Sequence, residues 1–119
     1  MYDYPSIAEY ADNPSPAVPV LRLLQRFAVP SGTDARAFSP LYADDLSGLA
    51  PALVVVPTRD ALADHGRRYA ERLRAAGTSV RLTEYPGARH AFLTLPGMEP
   101  QAKLAQAEIL EFLRATLAA

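Results

Sequence analysis

A run of four apolar residues, Leu53 to Val56, constrains the fold of this chain more than any other feature. The run is bounded by Pro51 and Pro57, and three of its members are β-branched valines. Continuous runs of this kind are typical of strands in parallel sheets that are buried on both faces. Such a strand needs a neighbouring strand on each edge and helices on both faces, so the run predicts an α/β fold.

Helix and strand patterns alternate after this run. A helix is predicted from about Asp64, which can cap its N-terminus, to Ala76, and Gly77 lies where a helix stop is expected. Residues 79–85 alternate in polarity, which is typical of a half-buried strand ended by the following Pro-Gly pair. A long helix is predicted from about Glu99 to Leu117. The strand–helix–strand order implies a right-handed βαβ crossover with parallel strands.

The predicted sheet is incomplete. Only two convincing strands can be identified, and the second can pair with just one edge of the apolar strand at 53–56. Natural proteins avoid an unpaired apolar edge because it promotes aggregation. The pattern therefore predicts that the sheet continues in material outside this sequence.

The first third of the chain differs from the rest. Five prolines fall within residues 1–38 and are too frequent for long regular structure. One helix fits, from Ala17 to Ala28, with Val18, Leu21, Leu24 and Phe27 predicted on one apolar face. We therefore divide the chain into residues 1–38, with loops and one helix, and residues 39–119, with the βαβ pattern and the long helix.

Charge and composition argue against several classes of partner. The formal net charge is −1, from 12 basic and 13 acidic residues, so no basic field favours nucleic acid or an anionic membrane. Cysteine is absent and only two histidines occur, which argues against a metal site. No apolar run approaches the roughly 20 residues of a membrane span, and the N-terminus lacks signal-peptide features, so we expect a cytoplasmic protein. One lysine against eleven arginines is a bias often associated with GC-rich bacterial coding.

Asp60 and His90 are the candidates for chemistry, because each follows a predicted strand. Functional side chains of parallel sheets emerge at the carboxyl edge, where the loops of neighbouring strands lie side by side. We therefore expect these two residues to meet in space. A carboxylate beside an imidazole fixes its tautomer and stabilises the imidazolium form. On the residues alone, simpler roles stay open: a turn residue for Asp60 and a solvated surface residue for His90.

Neighbouring residues have plainer interpretations. Asp64 is a rival for the acid, although a helix cap explains it adequately, and His65 is predicted to be a first-turn residue that is merely solvated. The arginines at 67–74 are predicted to form a solvated helix face. Tyr2, Tyr4 and Tyr10 line a pocket or simply pack, and packing is the favoured interpretation.

Four consecutive stretches share one further pattern. Residues 39–53 lead into the first strand, Asp-Ala-Leu-Ala-Asp-His-Gly occupies 60–66, a helix pattern occupies 68–77, and Tyr-Pro-Gly-Ala-Arg-His-Ala-Phe occupies 85–92. In this order and spacing they resemble the C-terminal portion of the hormone-sensitive-lipase-like α/β-hydrolases. That family has Asp-Pro-Leu-Arg-Asp-Glu-Gly, which begins with the triad acid, and Tyr-Pro-Gly-x-x-His-Gly-Phe, which carries the catalytic histidine. Residues 2–13 resemble, more weakly, a loop that helps to wall the acyl pocket of the family.

The resemblance implies an α/β-hydrolase fold and carboxylic-ester hydrolysis without a metal or organic cofactor. By it, Asp60 is the triad acid and His90 is the general base, and their order agrees with the family order of nucleophile, acid and histidine. Residues 1–38 become a pocket- or cap-side segment, and residues 39–119 become the C-terminal hydrolase segment. The resemblance also implies a small-molecule ester as substrate and, near residues 79–85 and 99–117, a surface through which a homodimer would form.

The chain departs from the family pattern in two ways. Ala61, Ala63 and His65 replace Pro, Arg and Glu, and Ala91 replaces Gly. More importantly, the 119 residues contain neither a Gly-x-Ser-x-Gly elbow nor a His-Gly-Gly segment for an oxyanion hole. A histidine and its acid cannot hydrolyse esters usefully without a nucleophile and oxyanion donors.

We therefore expect the truncated C-terminal portion of an esterase or lipase, inactive by itself. Its expected partner is the missing N-terminal hydrolase segment, which would supply both the serine and the absent strands. The alternative is a non-catalytic binding or dimerisation module that is derived from a hydrolase and uses the open sheet edge.

Overall fold

The structure is a computed structural model that describes residues 4–14 and 16–118, so Tyr2 lies outside the described residues. In chain order the helices and strands are α1 (Pro5–Glu9), α2 (Val18–Ala28), β1 (Ala52–Arg59), α3 (Ala63–Ala75), β2 (Val80–Arg89) and α4 (Ala102–Leu117). Short 3₁₀ helices occupy Ala35–Phe38, Pro40–Tyr42 and Phe92–Thr94. No helix in the described part of the chain is long and apolar enough to cross a membrane.

The two strands pair in parallel, and α3 connects them, which confirms the βαβ unit. The register runs from Ala52 opposite Val80 to Pro57 opposite Tyr85. Among the described residues the sheet has only these two strands. The fold is therefore an incomplete α/β sheet, as the sequence predicts.

The Pro-Gly pair after Tyr85 does not end the second strand, so that prediction is wrong. Between the pairs Pro57–Tyr85 and Arg59–Arg89, β1 advances by two residues and β2 by four, which is a β-bulge. Gly87 adopts a φ of +76°, and its N–H donates to the Thr58 hydroxyl at 2.8 Å. The bulge absorbs the proline and allows the strand to continue to the residue before His90.

Helices cover both faces of this sheet. On one face α3 lies very close to β1, because a Cβ at Gly66 would lie 2.8 Å from Cγ2 of Val56. On the other face Ala102 and Ala105 of α4 are buried in a cluster that Val55 contacts. Residues 54 and 56 therefore face α3 while residue 55 faces α4, as the alternation of a strand requires.

The apolar strand is less buried here than the sequence predicts. Val56 is buried, but Leu53, Val54 and Val55 are only partly buried among the described residues. The physical reason is the unpaired edge of β1, which leaves these side chains without neighbours on one side.

The predicted buried face of α2 is only half right. Val18 is buried against Ile7 and Ala61, but Leu24 is exposed and Phe27 is 80% exposed. The helix contacts the rest of the described chain through its first turn and one flank, which leaves its other apolar side uncovered.

Helix ends also differ from the predictions by a few residues. α3 begins at Ala63 and the Asp64 side chain does not cap it, whereas Gly77 follows the helix with a φ of +81° as expected for a stop. α4 begins at Ala102, because Glu99 belongs to the preceding turn, in which its N–H donates to the Leu95 carbonyl at 2.9 Å.

Candidate functional site

Asp60 and His90 are in direct contact at the carboxyl edge of the sheet. Asp60 follows the last residue of β1 and His90 follows the last residue of β2. Nδ1 of His90 lies 2.8 Å from Oδ2 of Asp60. The structure thus brings together the two residues that the strand order pointed to.

The Asp60 carboxylate is buried and uses both oxygens. The residue is 4% exposed, Oδ2 contacts His90, and Oδ1 accepts the Leu62 N–H at 2.8 Å. The second contact is a turn-type hydrogen bond between a side chain and the backbone two residues on. Asp60 is therefore both a turn residue and the partner of an imidazole, and the turn holds its carboxylate in place.

The His90 ring is oriented by this contact. The ring is 36% exposed, and in the described part of the chain its only hydrogen-bond partner is Asp60. Because a carboxylate only accepts, Nδ1 carries the shared proton, and in the neutral ring Nε2 is left as an acceptor. An imidazole in this tautomer can take a proton from a hydroxyl at Nε2.

The chain turns sharply directly after His90. Ala91 has a φ of 59° and is the only non-glycine residue with a positive φ among the described residues. The turn places the next residue, Phe92, in a fully buried position. The centroids of the Phe92 and Tyr85 rings lie 5.2 Å apart. His90 therefore lies between a strand end and a buried aromatic anchor.

Asp64, the rival acid, is committed elsewhere. Its carboxylate accepts the Ser6 N–H at 2.8 Å and an Arg67 N–H at 2.8 Å. Burial would raise the pKa of Asp64, but the hydrogen bonds from Arg67 and Ser6 outweigh burial and hold the pKa below its usual range. These contacts join α1 to the start of α3, and the contact with His90 belongs to Asp60 alone of the two carboxylates.

Ser6 is a structural residue that the sequence did not single out. It is buried, its hydroxyl donates to the Ala61 carbonyl at 2.8 Å, and the same hydroxyl accepts the Asp64 N–H at 3.2 Å. Its hydroxyl is therefore used in docking α1 beside the Asp60 turn.

His65 is more than a solvated helix residue, so the simple prediction is wrong. Its ring meets the Tyr4 ring edge to face, with centroids 4.8 Å apart. Its Nδ1 is buried and has no hydrogen-bond partner among the described residues. Burial lowers the pKa of His65 and so favours the neutral ring. Sequence could not show this, because the covering ring comes from a residue far earlier in the chain.

An open and largely apolar cavity of about 300 Å³ lies between α2 and the start of α3. The residues that line it include Leu21, Val29, Phe38, Leu62 and His65. Among the described residues no group of three or more His, Cys, Asp or Glu side chains is arranged to hold a metal ion.

Comparison with known proteins gives consistent matches. A family model described as "alpha/beta hydrolase fold" matches residues 2–94. Carboxylic ester hydrolase LipN of Mycobacterium tuberculosis is 46% identical over 79 residues, which cover 66% of this chain and 21% of LipN. Esterase LipI of the same organism is 32% identical over 116 residues, which cover 95% of this chain and 36% of LipI.

A solved structure aligns with the whole chain. An ester hydrolase from the metagenome of Lake Arreo superposes with a TM-score of 0.82 and 30% sequence identity, covering 100% of this chain and 38% of that protein. The chain therefore spans between about a fifth and two fifths of the length of the proteins that it matches.

Proposed function

The chain belongs to the alpha/beta hydrolase fold family, and from that premise we propose that it carries the acid and the histidine of a Ser-His-Asp triad for carboxylic-ester hydrolysis. Asp60 is the acid and His90 is the general base. The observation that supports this proposal most is the 2.8 Å contact between Nδ1 of His90 and the buried Asp60 carboxylate. The relatives named above are ester hydrolases, which supports a reaction of the same class.

In the proposed reaction His90 moves a proton twice. Nε2 takes the proton of a serine hydroxyl as the serine oxygen attacks the ester carbonyl, and the ring then returns the proton to the departing alcohol. Water then hydrolyses the acyl-enzyme: Nε2 takes a proton from the attacking water, and the ring returns it to the serine oxygen as the acid product leaves. Asp60 holds the Nδ1 proton and stabilises the positive ring that exists between the two transfers.

The serine and the oxyanion donors come from outside these 119 residues in this proposal. Two observations support a partner segment that contains the N-terminal part of a hydrolase. The chain spans at most 38% of the length of the proteins compared above. The described structure also leaves the outer edge of β1 unpaired and the outer side of α2 uncovered.

The substrate in this proposal is a small-molecule ester, and no cofactor takes part. The alternative of a non-catalytic binding or dimerisation module is not favoured, because the two relatives and the solved structure named above are ester hydrolases. Homodimerisation through β2 and α4 stays a prediction.

A chimera tests the proposal. The part of LipI that aligns with this chain is replaced by this chain, and hydrolysis of a short-chain aryl ester is measured. We expect turnover that falls by roughly 10³-fold or more when His90 is changed to Ala. Changing the other histidine, in His65→Gln, is the matched control and should leave most of the turnover intact. A folded, active chimera that tolerates His90→Ala would overturn the proposal.

A further inference from the structure

An ion pair links the residue directly before His90 to the turn that precedes α4. Nε and Nη2 of Arg89 lie 2.8 and 2.6 Å from Oε1 of Glu99. The Glu99 side chain is only 10% exposed. A carboxylate buried to this extent is costly unless it is paired, so the contact with Arg89 holds Glu99 and Arg89 together.

This pair differs from an ordinary surface ion pair of the same chain. Arg68 and Glu71 lie 3.1 Å apart, and their side chains are 55% and 59% exposed. Exposed pairs of that kind contribute little to structure. Arg89 is also 55% exposed, so the two pairs differ in the burial of the carboxylate. Removing Arg89 leaves the buried Glu99 carboxylate without its ion-pair partner. Removing Glu99 leaves a solvated arginine that no longer links the residue before His90 to the turn before α4.

The segment around His90 is attached to the α4 region at further points. Gln101 donates its amide N–H to the Pro86 carbonyl at 2.6 Å, and Gln106 donates to the Leu93 carbonyl at 2.7 Å. Phe92 is buried against Ala102 and Ala105. The His90 ring itself contacts only Asp60 by hydrogen bonding in the described part of the chain. The position of the His90 ring therefore also depends on the contacts that the residues before and after it make with the α4 region.

We propose that Glu99 and Arg89 are positioning residues that keep Nδ1 of His90 within hydrogen-bond distance of Asp60. The inference deepens the site proposed above and depends on that proposal for its catalytic meaning. Small movements of the ring matter, because a displacement of about 1 Å is enough to break the 2.8 Å hydrogen bond between His90 and Asp60. Arg89 precedes His90 directly, so movement of one backbone unit is carried to the next.

The experiment is NMR of the two imidazole rings in the 119-residue chain. With only two histidines, His90 and His65 can be observed separately, and His65 serves as an internal reference. The quantity measured is the exchange rate of the His90 Nδ1 proton with water. In Glu99→Ala we expect exchange about tenfold faster or more, because the hydrogen bond to Asp60 opens more often. Glu71→Ala, which removes the exposed ion pair, should leave the rate unchanged.

Two further variants keep the test decisive. Arg89→Lys retains one charged donor and should restore much of the protection that Arg89→Ala loses. The double variant Arg89→Met with Glu99→Leu removes the ion pair without leaving a buried charge, so it can stay folded when Arg89→Ala does not. Faster His90 exchange in the folded double variant supports positioning by the pair. Exchange at the wild-type rate there, or equal acceleration in Glu71→Ala, would overturn the inference.

This readout is separate from the proposed function. It reports a hydrogen bond within the chain and requires neither a serine nor ester turnover. A folded, active chimera that tolerates His90→Ala, together with the expected exchange rates, would reject the hydrolase role and leave the positioning result intact.

Discussion

Replacing Ala91 by glycine should stabilise the chain. Ala91 has a φ of 59° and a ψ of 18°, a left-handed conformation in which the Cβ of an L-residue is crowded by the backbone. The residue is exposed, so removal of its methyl group loses almost no apolar burial. The conformation itself has to be kept, because it turns the chain between His90 and the buried ring of Phe92.

The magnitude follows from two opposing effects. A non-glycine residue in this region costs about 1–2 kcal/mol. Glycine is more flexible in the unfolded chain, which returns about 0.5–1 kcal/mol of that cost. The free energy of unfolding should therefore rise by about 0.7 kcal/mol in Ala91→Gly.

Urea unfolding of the two chains measures this difference. With a slope of about 1.5 kcal/mol per molar, the midpoint should rise by roughly 0.5 M. Ala107→Gly is the matched control, since Ala107 is also exposed but lies inside α4. There glycine should lower the free energy of unfolding by about 1 kcal/mol. An Ala91→Gly midpoint at or below wild type, with the control behaving as stated, would refute the reasoning about backbone strain.

Three other changes have defined outcomes. In the LipI chimera Asp60→Asn should lower turnover by roughly 10³- to 10⁴-fold, whereas Asp64→Asn should lower it far less, and equal losses would move the acid role. Burial holds the pKa of His65 below its ordinary value of about 6.5. The stability that the neutral, buried ring contributes is therefore present above that pH and is lost as the pH falls through the pKa of the folded state. His65→Phe should therefore flatten the dependence of urea midpoints on pH below about 6.5, and an unchanged slope would contradict the prediction. Gly66→Ala should destabilise the chain. The new Cβ would lie 2.8 Å from Cγ2 of Val56, which costs about 1–3 kcal/mol, whereas the higher helix propensity of alanine contributes about 1 kcal/mol. Thermal melting should therefore show a lower midpoint.

Local pattern was sufficient to predict the centre of the fold. The apolar run at 53–56 has few structural options, and a helix between two strands leaves parallel pairing as the expected arrangement. The contact between Asp60 and His90 follows from that topology, because each residue lies directly after one of two paired strands.

Local sequence patterns could not predict the contacts between distant parts of the chain. His65 is covered by Tyr4, and Asp64 is bound by Ser6, so both depend on how residues 4–9 dock on α3. The bulge at Gly87 depends on a hydrogen bond to Thr58 in the other strand. None of these contacts leaves a periodic signal in its own segment, which is why the sequence indicated simpler roles.

The contact between Asp60 and His90 is held in place by residues of this chain alone. Asp60 is held by its own turn, and His90 follows a strand that is paired to the strand before Asp60. The segment after His90 is anchored by Phe92 in the α4 cluster. None of these contacts requires a further segment of protein, so in the proposed function Asp60 and His90 would be oriented before a serine is supplied. Because that orientation is made within one βαβ unit and its following helix, the partner segment of the proposal would need to place only the serine and the oxyanion donors against an already ordered imidazole.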